Sequence, residues 1–433
     1  MDRSNESLFL LRCARTQVDE DDCHLIRQLC AGGLDWEWIT RLALPNRVGP
    51  LLYLSLRETG LSTLVPAEAM RELENSYYLG LARSTLSQQA VREMLAGFRE
   101  EGIQAILLRG LVLGETIYGD PALRPFTDID LLIRKQDLAR ARKALFDLRY
   151  RSSHGIDEKY FERNHLHLQY VRREGGVVTE LHWALDHKYT VFNVDYAEIF
   201  EEAISGEVAG VEALLMPPDD LLLSLCVHLI KHCYYSKYLL PRPDFVQLIL
   251  ASGFLILYCD IAEVIRRDGP DLDWDLVVHK AGRWQVESAV QPALASVVRL
   301  FNAPVLQGVL ESLPAPQTGW LEGKILALAV EDLKEERDES SPSHPLRKLL
   351  GLRLDLMFRP VRLLDLIRYL WPAPRFIARR YNVSKPVRVC LYYGLHVCKA
   401  LGEVFLNLVD LVYYTRLKPM LFKEEGGFTL SQV

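Results

Sequence analysis

Apolar and polar positions divide the chain into a helical part, a mixed part and a second helical part. In residues 1–100, apolar side chains recur every three or four positions, which is the spacing that lines one face of a helix. Two series carry this pattern: Leu25, Leu29, Trp36, Ile39 and Leu42, and then Leu79, Leu81 and Leu86. We therefore predict an N-terminal helical region over residues 1–100.

The pattern changes over residues 101–215, where short apolar runs have the length of strands. These runs are IQAILLR (103–109), DIDLLI (128–133), LHLQYV (166–171) and VVTELHW (177–183). A helical pattern lies between Asp137 and Phe146. Strands that alternate with helices predict a small α/β or α+β sheet domain.

From Pro217 onward the spacing is helical again. LLLSLCVHLIKHC (221–233) and LILYCDIAEVI (255–265) are strongly apolar, and a further helical stretch covers residues 346–420. The polar segment 331–345 is broken by proline and predicts a linker or a long loop. Residues 216–433 are thus predicted to form a C-terminal helical region.

Composition and charge narrow the class of protein. A chain of 433 residues predicts two or three domains, and its net charge of -6 argues against a generally basic nucleic-acid binder. The eight cysteines include no CxxC pair, which predicts reduced thiols rather than a zinc ribbon. The N-terminus lacks a signal-peptide pattern, and the apolar stretch around Leu248–Ile261 is too short for a membrane span. We predict a cytoplasmic protein without an integral membrane segment.

The motif TDID (127–130) carries the strongest chemical signal. Residues two apart on a strand point to the same side, so Asp128 and Asp130 present two carboxylates together. Two adjacent carboxylates repel each other, and a magnesium ion between them removes that cost because it prefers hard oxygen ligands. The alternative is that an exposed strand end simply carries two acids.

Two arginines and a glycine near this motif can contact phosphate. Arg109 ends a strand, and Gly110 allows a tight turn into a helix whose free N–H groups can bind an anion. Arg124 lies four residues before Asp128 and either pairs with a carboxylate or contacts phosphate. The alternative readings are an ordinary strand–turn–helix connection and a solvated loop arginine.

VTELHW (178–183) supplies a third acid. On a strand, Val178, Glu180 and His182 share one face, and Glu180 can complete a three-carboxylate site with Asp128 and Asp130. Two magnesium ions in such a site clamp the attacking and leaving oxygens of a phosphoryl displacement. Glu180 can also act as general base, whereas we interpret His182 as a hydrogen-bonded structural histidine.

The run LLRGLVLGETIYGDPALRPFTDIDLLI (107–133), followed by ELHW (180–183), resembles a family of uncharacterised bacterial nucleotidyltransferases of the DNA polymerase β-like superfamily. The resemblance implies an α+β fold, with a small mixed-sheet nucleotidyltransferase core between helical regions. It implies Asp128, Asp130 and Glu180 as metal ligands and Gly110 as the start of the phosphate-binding turn. Two departures stand out: Leu111 replaces the usual serine or glycine after Gly110, and Arg109 stands where relatives often carry lysine.

We therefore predict a nucleotidyltransferase that uses Mg²⁺ or Mn²⁺ and moves a nucleoside monophosphate from an NTP to an unidentified hydroxyl acceptor. The acceptor can be a small molecule, a protein side chain or an RNA end. The alternative is a catalytically degenerate module that binds a nucleotide or a partner. An RNA-binding face is one interpretation of residues 353–388, which carry nine basic and two acidic residues; a solvated pair of amphipathic helices is the other.

Overall fold

The computed structural model describes residues 4–153, 166–185, 192–232 and 253–314, together with positions 162, 246, 249 and 250. All of these belong to one of the two compact units into which the chain divides. The predicted linker at 331–345, the helical stretch 346–420 and the basic segment 353–388 lie outside the described residues.

The N-terminal region is helical, as the apolar spacing predicts. Its helices are α1 (Ser4–Cys13), α2 (Glu20–Ala31), α3 (Trp36–Ala43), α4 (Gly49–Glu58) and α5 (Ala67–Glu100). Asp19 and Asp35 begin α2 and α3, where each carboxylate accepts a hydrogen bond from a free backbone N–H group. On α5, however, Leu79, Leu81 and Leu86 are exposed, so the apolar series used for the prediction is not the buried stripe of this helix.

A seven-stranded mixed sheet forms the centre of the fold and confirms the α+β class. Its strands are β1 (Ala105–Leu108), β2 (Ile129–Ile133), β3 (Tyr150–Ser152), β4 (His167–Arg172), β5 (Val178–His182), β6 (Ile204–Val208) and β7 (Val211–Leu215). The spatial order is β3-β4-β5-β2-β1-β7-β6. The pairs β2–β5 and β1–β7 are parallel, and the other neighbouring pairs are antiparallel. Helix α6 (Gly110–Thr116) connects β1 to β2, and α7 (Leu138–Asp147) follows β2.

The β6–β7 hairpin and the short strand β3 were not predicted from the apolar pattern. The hairpin turns at Ala209 and Gly210, both of which have positive φ, the backbone that a two-residue hairpin turn requires. The turn lacks the Asn-Gly or Asp-Gly pair that usually signals such a hairpin in a sequence. The two strands that lie beyond β1 in the sheet, β7 and β6, were therefore found only in the structure.

The residues that follow the sheet are helical, as predicted for this part of the C-terminal region. They form α9 (Pro218–His232), α10 (Leu255–Asp268), α11 (Trp274–Trp284), α12 (Glu287–Phe301) and α13 (Gln307–Ser312), whereas α8 (Tyr196–Glu202) precedes β6 within the predicted core. The first three turns of α10 are buried on every side. No helix in the described part of the chain is long and apolar enough to cross a membrane.

The two faces of the sheet pack against different helices. On one face Leu107 and Leu131 join a core with the second half of α5 and with α7. On the other face Ile106, Leu108 and Leu132 join a core with the N-terminal and C-terminal helices. Because side chains alternate along a strand, Asp130 lies on this second face, between the two helical regions.

A buried ion pair ties the loop before β2 to α10. Arg124 donates to Asp260 through both Nε and Nη2, at 3.1 and 2.7 Å, and the Tyr118 hydroxyl donates to the same carboxylate at 2.8 Å. Asp260 is fully buried and Arg124 is 4 % exposed. Of the two interpretations of Arg124, pairing with a carboxylate is the one that the contacts support.

We expect Asp260→Asn to lower the free energy of unfolding by about 3 kcal/mol, because breaking a buried ion pair leaves the Arg124 guanidinium without its counter-charge. Urea denaturation of the metal-free protein measures this loss. The matched control is Glu174→Gln, which removes a fully solvent-facing pair with Arg149 and should cost less than about 1 kcal/mol. Equal losses in the two variants would show that the Arg124–Asp260 pair does not stabilise the fold.

Candidate metal centre

Parallel pairing of β2 with β5 brings the three predicted acids together. The register sets Asp130 opposite Glu180, and Asp128 stands one residue before β2 on the same side as Asp130. One carboxylate oxygen from each of the three residues lies within 4.8 Å of the other two. The structure therefore places Asp128, Asp130 and Glu180 in a single cluster at the sheet surface.

Asp130 is held between two basic groups. Arg109 Nε lies 3.2 Å from Asp130 Oδ2, and His182 Nε2 lies 2.9 Å from Asp130 Oδ1. Burial by itself raises the pKa of Asp130, but Arg109 and His182 outweigh burial and hold that pKa well below its usual range. Asp130 is therefore ionised, with both carboxylate oxygens fixed in direction.

The other two carboxylates differ in their protonation. Burial, and then the negative charges of Asp130 and Glu180, raises the pKa of Asp128 to about 6. Burial has the same raising effect on Glu180, but the hydrogen bond from His182 and the charge of His167 reverse it, so that the pKa of Glu180 is lowered. Asp128 is thus the member of the cluster that lacks a cationic neighbour strong enough to offset its burial.

Two histidines stand beside Glu180. His182 Nε2 lies 3.2 Å from Glu180 Oε2, and His167 Nε2 lies 3.5 Å from the same oxygen. His182 is 2 % exposed, and it makes the polar contacts that we predicted for a structural histidine. Sequence reasoning missed His167, although His167 and Gln169 alternate on LHLQYV in the way that Glu180 and His182 alternate on the neighbouring strand. Only the pairing of β4 with β5, which sets His167 opposite His182, joins the two patterns.

The turn after β1 has an unusual backbone. Arg109 has φ 44° and Gly110 has φ 23°, both in the left-handed half of the map, and α6 begins at Gly110. The Arg109 guanidinium is 6 % exposed and contacts His228 Nδ1 on α9 as well as Asp130. Contact of Arg109, Gly110 and Arg124 with phosphate therefore stays a prediction, and the two arginine side chains already have protein partners.

Close packing holds the loop that leads to Asp128. A Cβ added to Gly80 on α5 would lie 2.7 Å from the Ala122 carbonyl oxygen, and one added to Gly114 on α6 would lie 2.9 Å from Pro121 Cα. Real Cβ atoms do not come that close to backbone atoms. Both helices therefore approach this loop at positions where only glycine fits without displacing it.

An open cavity of about 660 Å³ lies next to Asp128, between α5 and the turn that joins β4 to β5. Its walls include Leu79 and Leu86, the exposed leucines of α5. Arg47 and Arg83 add positive charge, and Arg83 donates to the Thr127 carbonyl. The cavity can hold a small organic molecule, since ligand pockets commonly measure about 300–1,000 Å³.

Two further clusters of polar side chains are explained by contacts within the protein rather than by metal binding. Glu202, Asp219 and Asp220 could together ligate a metal, but the Lys280 ammonium occupies their centre, with Nζ 2.6 Å from Asp219 Oδ2 and 2.8 Å from Asp220 Oδ1. His228 and His232 stack edge to face on α9 with ring centroids 4.3 Å apart. Burial and the charge of Arg109 lower the pKa of His228, as expected for a histidine on a helix packed in the core.

Comparison with known proteins gives one match. The model of a family described as an uncharacterised nucleotidyltransferase matches residues 32–302, which is more than half of the chain. The matched segment includes the run 107–133 and ELHW, on which the family resemblance rests. No curated protein and no solved structure matches the chain.

We expect Asp128→Asn to stabilise the protein in EDTA at pH 8. The pKa of Asp128 is raised in the folded state, so its contribution to stability is present at low pH and is lost as pH rises through about 6. The variant should therefore gain about 1 kcal/mol over the unmodified protein between pH 5 and pH 8. Thermal unfolding at the two pH values measures this, with Asp147→Asn on the surface as the control. A gain that is the same at both pH values would contradict the assignment of charge repulsion to Asp128.

Proposed function

The chain belongs to this family of uncharacterised nucleotidyltransferases, and we propose that it transfers a nucleoside monophosphate from an NTP to a hydroxyl acceptor. The observation that carries the proposal is the convergence of Asp128, Asp130 and Glu180 on two paired strands. Three carboxylates held together at the surface of a mixed sheet suit phosphoryl transfer. Placement in the DNA polymerase β-like superfamily is part of the same proposal.

The donor set fits Mg²⁺ or Mn²⁺. Asp128, Asp130 and Glu180 offer hard oxygen ligands from three side chains, and Asp130 and Glu180 remain 13 % and 16 % exposed, so the cluster can be reached from solvent. When bound, the ion would neutralise charge on the phosphates and orient the reacting oxygens. The raised pKa of Asp128 supports this role, because a cation there would stabilise the ionised carboxylate that burial and then the charges of Asp130 and Glu180 disfavour.

The residues around the cluster would orient its carboxylates for metal binding. Arg109 and His182 fix the two oxygens of Asp130 from opposite sides. Gln169 Nε2 donates to Glu180 Oε1 at 3.2 Å, which orients the second carboxylate. Glu180 is also our candidate for accepting the proton of the acceptor hydroxyl, because it is ionised at neutral pH, although its lowered pKa makes it a weaker base than an ordinary glutamate.

The triphosphate would lie at the turn formed by Arg109 and Gly110. Here the chain offers the backbone N–H groups at the start of α6, and Leu111 supplies no hydroxyl. Because Arg109 is already paired with Asp130, a phosphate contact requires the guanidinium to share its donors between the carboxylate and the nucleotide. Arg124 would contribute through the loop it anchors to Asp260.

The second candidate function is a degenerate module that binds a nucleotide or a partner without chemistry. Leu111 and the commitment of Arg109 to Asp130 favour it, whereas the convergence of all three carboxylates favours the enzyme. The acceptor stays open between a small molecule, a protein side chain and an RNA end. The basic segment 353–388, which would serve RNA, lies outside the described residues. The choice of ATP among the NTPs and a cytoplasmic location likewise remain predictions.

We expect Asp130→Asn to abolish label transfer from labelled NTPs while leaving the fold intact. The replacement is nearly isosteric but removes the charge that would hold the cation and that Arg109 balances. The protein is incubated with Mg²⁺, each labelled NTP and a cell extract, and the labelled fraction is identified. Asp147→Asn on the surface of α7 is the control and should retain full incorporation.

Transfer at the unmodified rate by Asp130→Asn would show that the metal assignment is wrong. If the unmodified protein binds NTP with Mg²⁺ but labels no fraction, the degenerate binding module becomes the better description. If it binds neither NTP nor Mg²⁺, both readings of the cluster fail.

Arg109→Ala separates two roles for this residue. A phosphate contact is worth about 1.5–3 kcal/mol as a hydrogen bond to a charged group, so its loss should weaken NTP binding by about one to two orders of magnitude. If Arg109 instead acts only by orienting Asp130, the variant should bind NTP normally and bind Mg²⁺ more weakly. Titration calorimetry with each ligand measures both affinities, and unchanged values for both would remove Arg109 from the site.

A further inference from the structure

We propose that His167, His182 and Glu180 form a second cation position, which takes a divalent transition metal such as Zn²⁺, Co²⁺ or Cu²⁺. This position rests on the proposed function only through Glu180, which it shares with Asp128 and Asp130. It differs from the first position in its ligands, because two of the three are imidazole nitrogens.

The distances fit a single ion. The Nε2 atoms of His182 and His167 lie 3.2 and 3.5 Å from the same oxygen, Glu180 Oε2. Ligands about 2.0–2.1 Å from a tetrahedral metal are separated from each other by about 3.4 Å. One ligand atom from each of the three residues lies within 4.8 Å of the others. His182 Nε2 also lies 2.9 Å from Asp130 Oδ1, so a metal bond at this nitrogen would replace the hydrogen bond between His182 and Asp130. With that exchange, a small closing movement of two side chains would complete the geometry.

All three ligands lie on paired strands rather than on a loop. His167 lies directly opposite His182 in the antiparallel β4–β5 pair, and Glu180 lies two residues before His182 on the same face of β5. The imidazole rings are 4.9 Å apart between centroids. Since both strands belong to the centre of the sheet, little conformational entropy is lost when the ligands close on an ion.

The ligand chemistry selects the metal. Mg²⁺ takes oxygen ligands and keeps much of its water, whereas imidazole nitrogen suits zinc, cobalt and other first-row transition metals. The position with Asp128 and Asp130 has only oxygen ligands. Two neighbouring positions of different chemistry would share Glu180, so that the centre could carry two different ions at once.

Other clusters in the described part of the chain do not compete with this proposal. Glu202, Asp219 and Asp220 are already paired with the Lys280 ammonium, which stands where an ion would bind. His228 and His232 lie four apart on α9, but they belong to none of the metal-capable groups found among the described residues. His167 and His182 are therefore the imidazoles whose surroundings include an available carboxylate.

Metal binding to tag-free protein stripped with EDTA tests the proposal. Co²⁺ is titrated into the unmodified protein, His167→Gln, Asp128→Asn and the control His24→Gln, and the visible spectrum and affinity are recorded. Pulsed electron paramagnetic resonance spectra of the unmodified protein and of His167→Gln, each loaded with one equivalent of Cu²⁺, report directly on coupling to imidazole nitrogen. His24 is an exposed histidine outside the cluster.

We expect nitrogen coupling in the unmodified protein. The Co²⁺ affinity should fall at least about tenfold in His167→Gln, since even partners outside the ligand shell change metal affinity by about 10–100-fold. His24→Gln should bind as the unmodified protein does. Asp128→Asn should keep its Co²⁺ spectrum while losing affinity for Mg²⁺. Urea denaturation without metal checks that His167→Gln is folded.

Two results would overturn the proposal: no nitrogen coupling in the Cu²⁺-loaded protein, or unchanged Co²⁺ affinity and spectrum in His167→Gln. Neither depends on transfer activity. The label-transfer assay with Mg²⁺ would then still test the proposed function independently. Conversely, an intact imidazole signal in a protein that transfers no label would leave this position in place while removing the proposed function.

Discussion

The parallel pairing of β2 with β5 is the constraint on which the rest of the site depends. Its register sets Asp130 opposite Glu180, although these residues come from different parts of the chain. A slip of one residue would turn Glu180 to the other face, because side chains alternate along a strand. Leu131 and Leu181 prevent that slip, since both are fully buried in the core behind the acids. The hydrophobic face thus fixes the geometry of the polar one.

Gathering three carboxylates on one sheet face has an electrostatic cost, and the chain offsets only part of it. Arg109 and His182 compensate Asp130, and His182 also compensates Glu180 through its hydrogen bond. Asp128 has no cationic neighbour strong enough to offset its burial and the nearby negative charges, and its pKa is therefore raised. The cluster therefore remains receptive to a cation on the Asp128 side, while imidazoles flank its Glu180 side. This asymmetry is the physical basis for assigning different ions to the two sides.

The helices act on the site through a few buried polar contacts. Arg124 and Asp260 fasten the loop before Asp128 to α10, and Arg109 reaches His228 on α9. Glycines on α5 and α6 allow both helices to approach that loop closely. Each contact joins the end of β1, or the loop that precedes β2, to a neighbouring helix. The helical regions on both sides of the sheet thus help to position the residues that we propose to carry the chemistry.

The sequence by itself determined the helical and mixed parts of the described chain and the face of each acid, because period and alternation are local properties. The family motif also lies in short runs, 107–133 and 180–183. Only the tertiary structure decided which partners meet. His182 reaches Asp130 from 52 residues away, and Arg124 reaches Asp260 from 136 residues away. Local pattern carries no information on such distances: it left Arg124 open between a carboxylate and a phosphate partner, missed His167, and gave no sign of the β6–β7 edge. Strand pairing and core packing decide which residues come into contact, because the local pattern is compatible with many different pairings of the same strands and helices.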